Sequence, residues 1–164
     1  MNSEFLIRAA RPGDEHGIFQ LISALAEYEH LTHAVSGDAQ RLARDLFGSR
    51  PAAEALVVEW AAPSASPSLV GFALFFPNYS TFLTQPGLYL EDIFILPAQR
   101  RRGLGKALLS HVARLASERG CGRLEWSVLD WNAPAIAFYE SLGAKRMTEW
   151  TICRLTGEAL ERYA

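Results

Sequence analysis

Two carboxylates stand side by side in an otherwise apolar stretch, Leu88-Tyr89-Leu90-Glu91-Asp92-Ile93-Phe94-Ile95. Side chains alternate across a strand, so one of the two is turned towards the core side. A buried carboxylate is costly, and it is tolerated where a proton or a cation has to be handled. The competing reading is an edge strand with both acids in water. A few residues on, Arg100-Arg101-Arg102-Gly103-Leu104-Gly105-Lys106 opens an amphipathic run. Gly103 and Gly105 let backbone approach a ligand closely, and free N–H groups at a helix start attract phosphate. The three arginines add positive charge against a polyphosphate. No Gly-Lys-Ser/Thr follows at the spacing of a P-loop.

These residues need elements to hold them. Phe5 to Arg8 reads as a short strand that stops at Pro12-Gly13. Asp14 can cap a helix whose Ile18, Leu21, Ile22, Leu25 and Ala26 share one face. A second helix is predicted near Gly37 to Phe47, and strands over Ala55 to Trp60, Leu69 to Phe76 and Leu88 to Leu96. Ala61 to Ser68 supplies a hairpin loop and Gln85-Pro86-Gly87 a turn. Leu104, Leu108, Val112 and Leu115 mark the helix after the glycines, with His111 half-buried among them. A strand over Leu124 to Leu129, a helix over Ala133 to Leu142, a long strand over Arg146 to Leu155 and a helical turn from Gly157 to Tyr163 complete the chain. Hairpins followed by strand–helix repeats define a mixed α/β sheet flanked by helices. Trp60, Trp126, Trp131 and Trp150 read as packing residues.

A length of 164 residues fits one domain, 1–164. With 49% hydrophobic and 21% charged residues, the chain has the make-up of a folded protein rather than a disordered one. A net charge of −2 gives no field for nucleic acid, and no apolar run is long enough to cross a membrane. Met1-Asn2-Ser3-Glu4 lacks the marks of a signal peptide. Cys121 and Cys153 form no disulfide framework, and the four histidines have no metal-site spacing. A cytoplasmic protein without a metal is the expectation.

Arg100-x-x-Gly103-x-Gly105 after an apolar strand resembles the acetyl-coenzyme A signature of the GNAT N-acetyltransferases. Trp131-Asn132-x-Pro134-Ala135-Ile136-x-Phe138-Tyr139-x-x-x-Gly143-Ala144 is similar to that family's second motif. Leu25-Ala26-Glu27-Tyr28-Glu29, Val70-Gly71-Phe72-Ala73 and Tyr89-Leu90-Glu91-Asp92 look like the diamine (spermidine/spermine) branch. The resemblance spans about Ile7 to Leu155. It implies a strongly twisted mixed sheet whose two central parallel strands splay apart to admit the pantetheine arm. Ile93, Phe94 and Ile95 would then pair with pantetheine through their backbone. Arg100, Arg101, Arg102, Gly103, Leu104, Gly105 and Lys106 would surround the pyrophosphate, and Asn132 and Ala135 would lie along the arm.

The implied reaction is direct acetyl transfer from acetyl-coenzyme A to a small primary amine. An ammonium of pKa about 10 must first lose a proton, and the departing thiolate must gain one. The resemblance makes Glu91 the base, with a pKa raised by burial beside Asp92, and Tyr139 the acid. By its pattern alone Tyr139 reads as a core aromatic beside Phe138. Tyr28, Glu29, Glu91, Asp92 and Glu149 would receive the amine, and a homodimer is implied. The branch's animal enzymes carry an acid at the place of Ser80 and a tryptophan at that of Phe82. Their loss here points to a short diamine or a lysine-like amino acid of thialysine type rather than spermine. Transfer to a protein lysine or amino terminus is the alternative. A non-catalytic acyl-coenzyme A sensor would have no use for Glu91 and Tyr139, and RNA binding lacks aromatic platforms.

Overall fold

In the computed structural model, residues 5–61 and 68–164 are described. Residues 1–4 and 62–67 lie outside them, the latter most of the hairpin loop expected over Ala61 to Ser68, whose last residue opens β3. The elements are β1 (Phe5–Ala9), α1 (Glu15–Tyr28), α2 (Ala39–Phe47), β2 (Glu54–Trp60), β3 (Ser68–Ser80), β4 (Gln85–Ile95), α3 (Leu104–Glu118), β5 (Leu124–Trp126), α4 (Ala133–Ser141) and α5 (Glu158–Glu161). The chain divides into two compact units, one ending at Ser127 and the other running from Val128 to Ala164.

The first unit is a five-stranded sheet in the order β1-β2-β3-β4-β5. Its first four strands run antiparallel, and β5 joins β4 in parallel. Period-2 alternation sends Val57, Phe72 and Phe94 to one face, where they meet Ile18, Leu21 and Leu25 of α1 and Leu46 of α2. The other face carries Leu56, Ala73, Phe75, Leu88 and Leu90, all buried. On α3, Leu104, Leu108, Leu109, Val112 and Ala116 are buried at helical spacing. The β3–β4 hairpin is longer than its composition suggests. Pro77 and Pro86 are both inside strands, and the turn falls after Ser80, whose Oγ accepts from the Leu83 N–H at 3.2 Å.

The second unit holds α4 and α5. The strand expected over Arg146 to Leu155 is not formed. Its β-branched and aromatic residues give it a face but no ladder neighbour. The Trp150 N–H donates to the Met147 carbonyl at 3.2 Å, a turn that interrupts the alternation. Met147, Trp150, Ile152 and Leu155 are left exposed, and Trp131 is exposed too, so neither it nor Trp150 is a packing residue. Among the described residues no strand lies beyond β5, which makes the parallel pair the end of the sheet rather than its centre.

Candidate active site

The parallel ladder between β4 and β5 is only three residues long, Leu88–Leu124, Tyr89–Glu125 and Leu90–Trp126. Past Leu90 the two strands part, and residues 91–95 of β4 have no strand on that side among the described residues. Backbone groups left this way must find other partners. Ile93, Phe94 and Ile95 lie in this segment, with Phe94 and Ile95 buried. Opposite them Gly71 pairs with Ile95, and a Cβ there would lie 2.8 Å from the Phe94 carbonyl oxygen. Glycine is what lets β3 come this close.

The parting coincides with a β-bulge. Leu74 faces Asp92 and Phe75 faces Leu90, so Glu91 is the extra residue on β4. The bulge changes which acid is buried. Asp92 shares the α1-facing side with Phe72, Leu74 and Phe94, whereas Glu91 is exposed. The resemblance implied a Glu91 buried beside Asp92, and alternation put one of the two on the core side; the inserted residue leaves Glu91 exposed and Asp92 on that side. A readable signal existed, because the apolar positions jump phase from Leu88 and Leu90 to Ile93 and Ile95. Burial, then the charges of Glu91 and Glu29, push the Asp92 carboxyl up to about 6. Burial also raises Glu29.

Tyr28 and Glu29 stand at the end of α1. That end is fixed by His30 in a left-handed conformation (φ 60°) and by the Leu31 N–H donating to the Ala26 carbonyl at 2.8 Å. Tyr28 packs against the core between sheet and helices. Arg100, in the loop beyond the end of β4, reaches the same place. Its Nε donates to the Ile95 carbonyl at 3.0 Å, and its guanidinium carbon lies 4.5 Å from the Tyr28 ring centre and 5.4 Å from that of Phe94.

After β4 a 3₁₀ turn over Pro97–Gln99 leads to Arg101 at φ 64° and Gly103 at φ 77°. Gly103 is the N-cap of α3, has open space around it, and is required by its backbone angle. No side chain caps α3, whose first N–H groups have no partner within the helix. Arg101, Arg102, Gly103 and Lys106 are exposed, Gly105 is half-buried and Leu104 is buried. Arg102 lies over the Phe5 ring at 5.6 Å. The loop is thus shaped to receive a phosphate group on backbone amides.

In the second unit Asn132 is buried and caps α4, its Oδ1 accepting from the Ala135 N–H at 3.3 Å. That bond commits both residues to the helix start. Tyr139 is half-buried, its ring 5.4 Å from that of Phe138. Glu149 is exposed. Tyr28, Glu29, Glu91, Asp92, Ile93 to Ile95 and the arginine–glycine loop all belong to the first unit. Ser80, read as a place where an acid has been lost from the amine site, is buried at the hairpin turn and has a local structural duty there. Leu74, the cross-strand neighbour of Asp92, is an apolar residue whose type carries no signal of the site.

A splayed parallel pair, a bulge at its parting and a glycine-opened helix start are the features of one family. The chain belongs to the acetyltransferase (GNAT) family, whose model matches residues 20–144. It is an N-acetyltransferase, and the family's co-substrate is acetyl-coenzyme A. It is 38% identical over 195 residues to the L-ornithine N5-acetyltransferase NATA1 of Arabidopsis thaliana, covering 94% of this chain and 86% of that one. It is 39% identical over 165 residues to the thialysine N-epsilon-acetyltransferase of Bos taurus, covering 97% and 96%. An integron cassette protein from the mobile metagenome of V. cholerae has the same fold, with a TM-score of 0.78, 22% identity and 99% and 98% of the chains covered.

Proposed function

We propose that the protein transfers the acetyl group of acetyl-coenzyme A to a small primary amine carrying one or two cationic nitrogens, of the ornithine or thialysine type. One observation carries this reading. Asp92 is a half-buried carboxylate with Glu91 and Glu29 contributing negative charge to it, and among the described residues no arginine or lysine is bonded to it. Such a cluster is completed by a cation from outside, and a compact ammonium suits it. Two relatives that match nearly the whole chain are named for ornithine and thialysine, which supports the same class.

In this reading pantetheine lies along the open side of residues 91–95, and the pyrophosphate rests on the N–H groups at the start of α3, among Arg101 to Lys106. Asp92 and Glu29 hold the ammonium, with Tyr28 bordering it. Glu91, in contact with water, takes a proton from the ammonium. The freed amine attacks the thioester carbon, the C–S bond breaks, the thiolate takes a proton from Tyr139, and the nitrogen's surplus proton passes through water to the tyrosinate, leaving a neutral amide. A backbone N–H near Ile93 receives the carbonyl oxygen as it gains charge, a type of contact often worth about 3 kcal/mol. We read the protein as a cytoplasmic homodimer. Free Cys121 and Cys153 fit a reducing compartment. Exposed Tyr79, Phe82 and Leu83 at the hairpin turn fit a surface shared with a second copy.

Release of thiol from acetyl-coenzyme A tests the reading, with L-ornithine, thialysine, 1,3-diaminopropane, spermine and a lysine peptide as acceptors. The short amines should exceed spermine in kcat/KM by about tenfold or more, the scale of one charge-assisted contact. Turnover of the peptide alone, or a tenfold preference for spermine, would overturn it.

A further inference from the structure

Arg100 stands in the acetyl-coenzyme A signature, and its charge suggests a phosphate ligand. Its contacts point elsewhere. A guanidinium recognises phosphate through its forked terminal nitrogens, free to turn outwards. Here Nε is bonded to the last carbonyl of β4, and the guanidinium lies over two aromatic rings from different elements, Tyr28 of α1 and Phe94 of β4. Both rings are within the range of a cation–π contact. The side chain is half-buried, unlike Arg101 and Arg102 beside it. Of the three arginines, Arg100 is the one tied to the strand end and to α1.

Its neighbours give this arrangement its meaning. Tyr28 is followed directly by Glu29, whose charge is felt at Asp92. Asp92 is two residues before Phe94 on the same face of β4. A cation bridging Tyr28 and Phe94 therefore fastens the Glu29 end of α1 to the stretch of strand that presents Asp92. We propose that Arg100 is a positioning residue for the amine site, which sets the spacing of Glu29 and Asp92 and is not a ligand of the coenzyme's phosphates. The proposal rests on the reading of Glu29 and Asp92 as the amine's holders.

The test compares Arg100→Gln, Arg100→Lys, Tyr28→Leu and the Arg100→Gln/Tyr28→Leu pair with the unaltered protein. L-ornithine and thialysine serve as acceptors, and calorimetry gives coenzyme A affinity. In Arg100→Gln, KM for the amine should rise about 5- to 20-fold and kcat should stay within about threefold, as expected for the loss of binding shared by ground and transition states. Arg100→Lys keeps a cation over the rings and should recover most of the KM. Because both side chains act through one contact, the pair should raise KM little more than Arg100→Gln alone. Coenzyme A affinity should change by less than about twofold at both low and high salt, since no phosphate contact is lost. A tenfold loss of coenzyme A affinity with an unaltered amine KM would overturn the proposal, as would additive effects in the pair. If the unaltered protein acetylates none of the amines, the amine-site reading and the positioning role both fall. Calorimetry would then still report whether Arg100 touches phosphate.

Discussion

Helix α1 has a carboxylate group of opposite character at each end. At its start, Asp14 receives Arg8 in a forked contact, Nη1 to Oδ2 at 2.6 Å and Nη2 to Oδ1 at 3.0 Å. Glu59 of β2 receives the same guanidinium through Nε at 2.9 Å and Nη2 at 2.7 Å. The Arg8 bond is the main reason that the Asp14 carboxyl is held below its ordinary range. At the other end burial, and then the charges of Glu91 and Glu29, push the Asp92 carboxyl up to about 6. The helix dipole sharpens the contrast, because it favours an anion at Asp14 and disfavours one at Glu29. One set of charges is complete within the fold and the other lacks its cation. Beside Arg8 lies a cleft of about 490 Å³, but its arginine and acids already answer one another. The unbalanced cluster of β4 and the end of α1 is where a ligand has work to do.

The two ends oppose each other in pH as well. Asp14 has a lowered pKa, so its contribution to stability is present above the unfolded value and disappears as acid protonates it. Asp92 has a raised pKa, so the folded state holds a proton that the unfolded chain has released. Its cost to stability grows between the ordinary 3.8 and about 6, and is in full force at neutral pH.

Giving Asp92 the cation it lacks is the most severe way to break the contrast. Leu74 is its cross-strand neighbour, and Leu74→Arg should pair with it much as Arg8 pairs with Asp14. The expected loss is about 10²-fold in kcat/KM for ornithine, with an Asp92 carboxyl that titrates lower in NMR. Full activity in that variant would show that Asp92 does not need to be unpaired. Asp14→Asn should instead cost about 2–3 kcal/mol, or roughly 5–10 °C in Tm, because it leaves Arg8 half-satisfied in a largely buried place. The loss should hold in urea titrations from neutral pH down to about 4 and shrink only below that, as acid protonates Asp14. Glu54 and Arg119 make an equally short pair, at 2.6 and 2.7 Å, on a more exposed surface. Glu54→Gln should cost under about 1 kcal/mol, which would show that burial rather than bond length gives the Arg8 network its strength.

Much of this was legible in the residues. Ile18, Leu21 and Leu25 announced the buried side of α1, and Arg100 to Gly105 announced a phosphate-shaped helix start. Three features were not. A one-residue bulge puts Asp92 on the side facing α1 and leaves Glu91 exposed, and alternation counted through a bulge does not give the parity beyond it. Arg146 to Leu155 has strand composition, yet a strand also requires a partner that composition does not specify. Arg100 looked like its two neighbours because a residue's type does not disclose which way its side chain turns, and only the rings of Tyr28 and Phe94 decide that.

Asp92→Asn, with activity and thermal stability read on the same preparation, tests the central claim most directly. Relieving a carboxyl shifted from 3.8 to about 6 should stabilise the fold by up to about 3 kcal/mol at neutral pH, a rise of several degrees in Tm that vanishes below pH 4. Acetyl transfer to ornithine should fall by about 10²-fold in the same sample. A variant that keeps its activity, or one whose Tm falls at neutral pH, would contradict the account of Asp92 as a carboxylate held at a cost for an incoming ammonium.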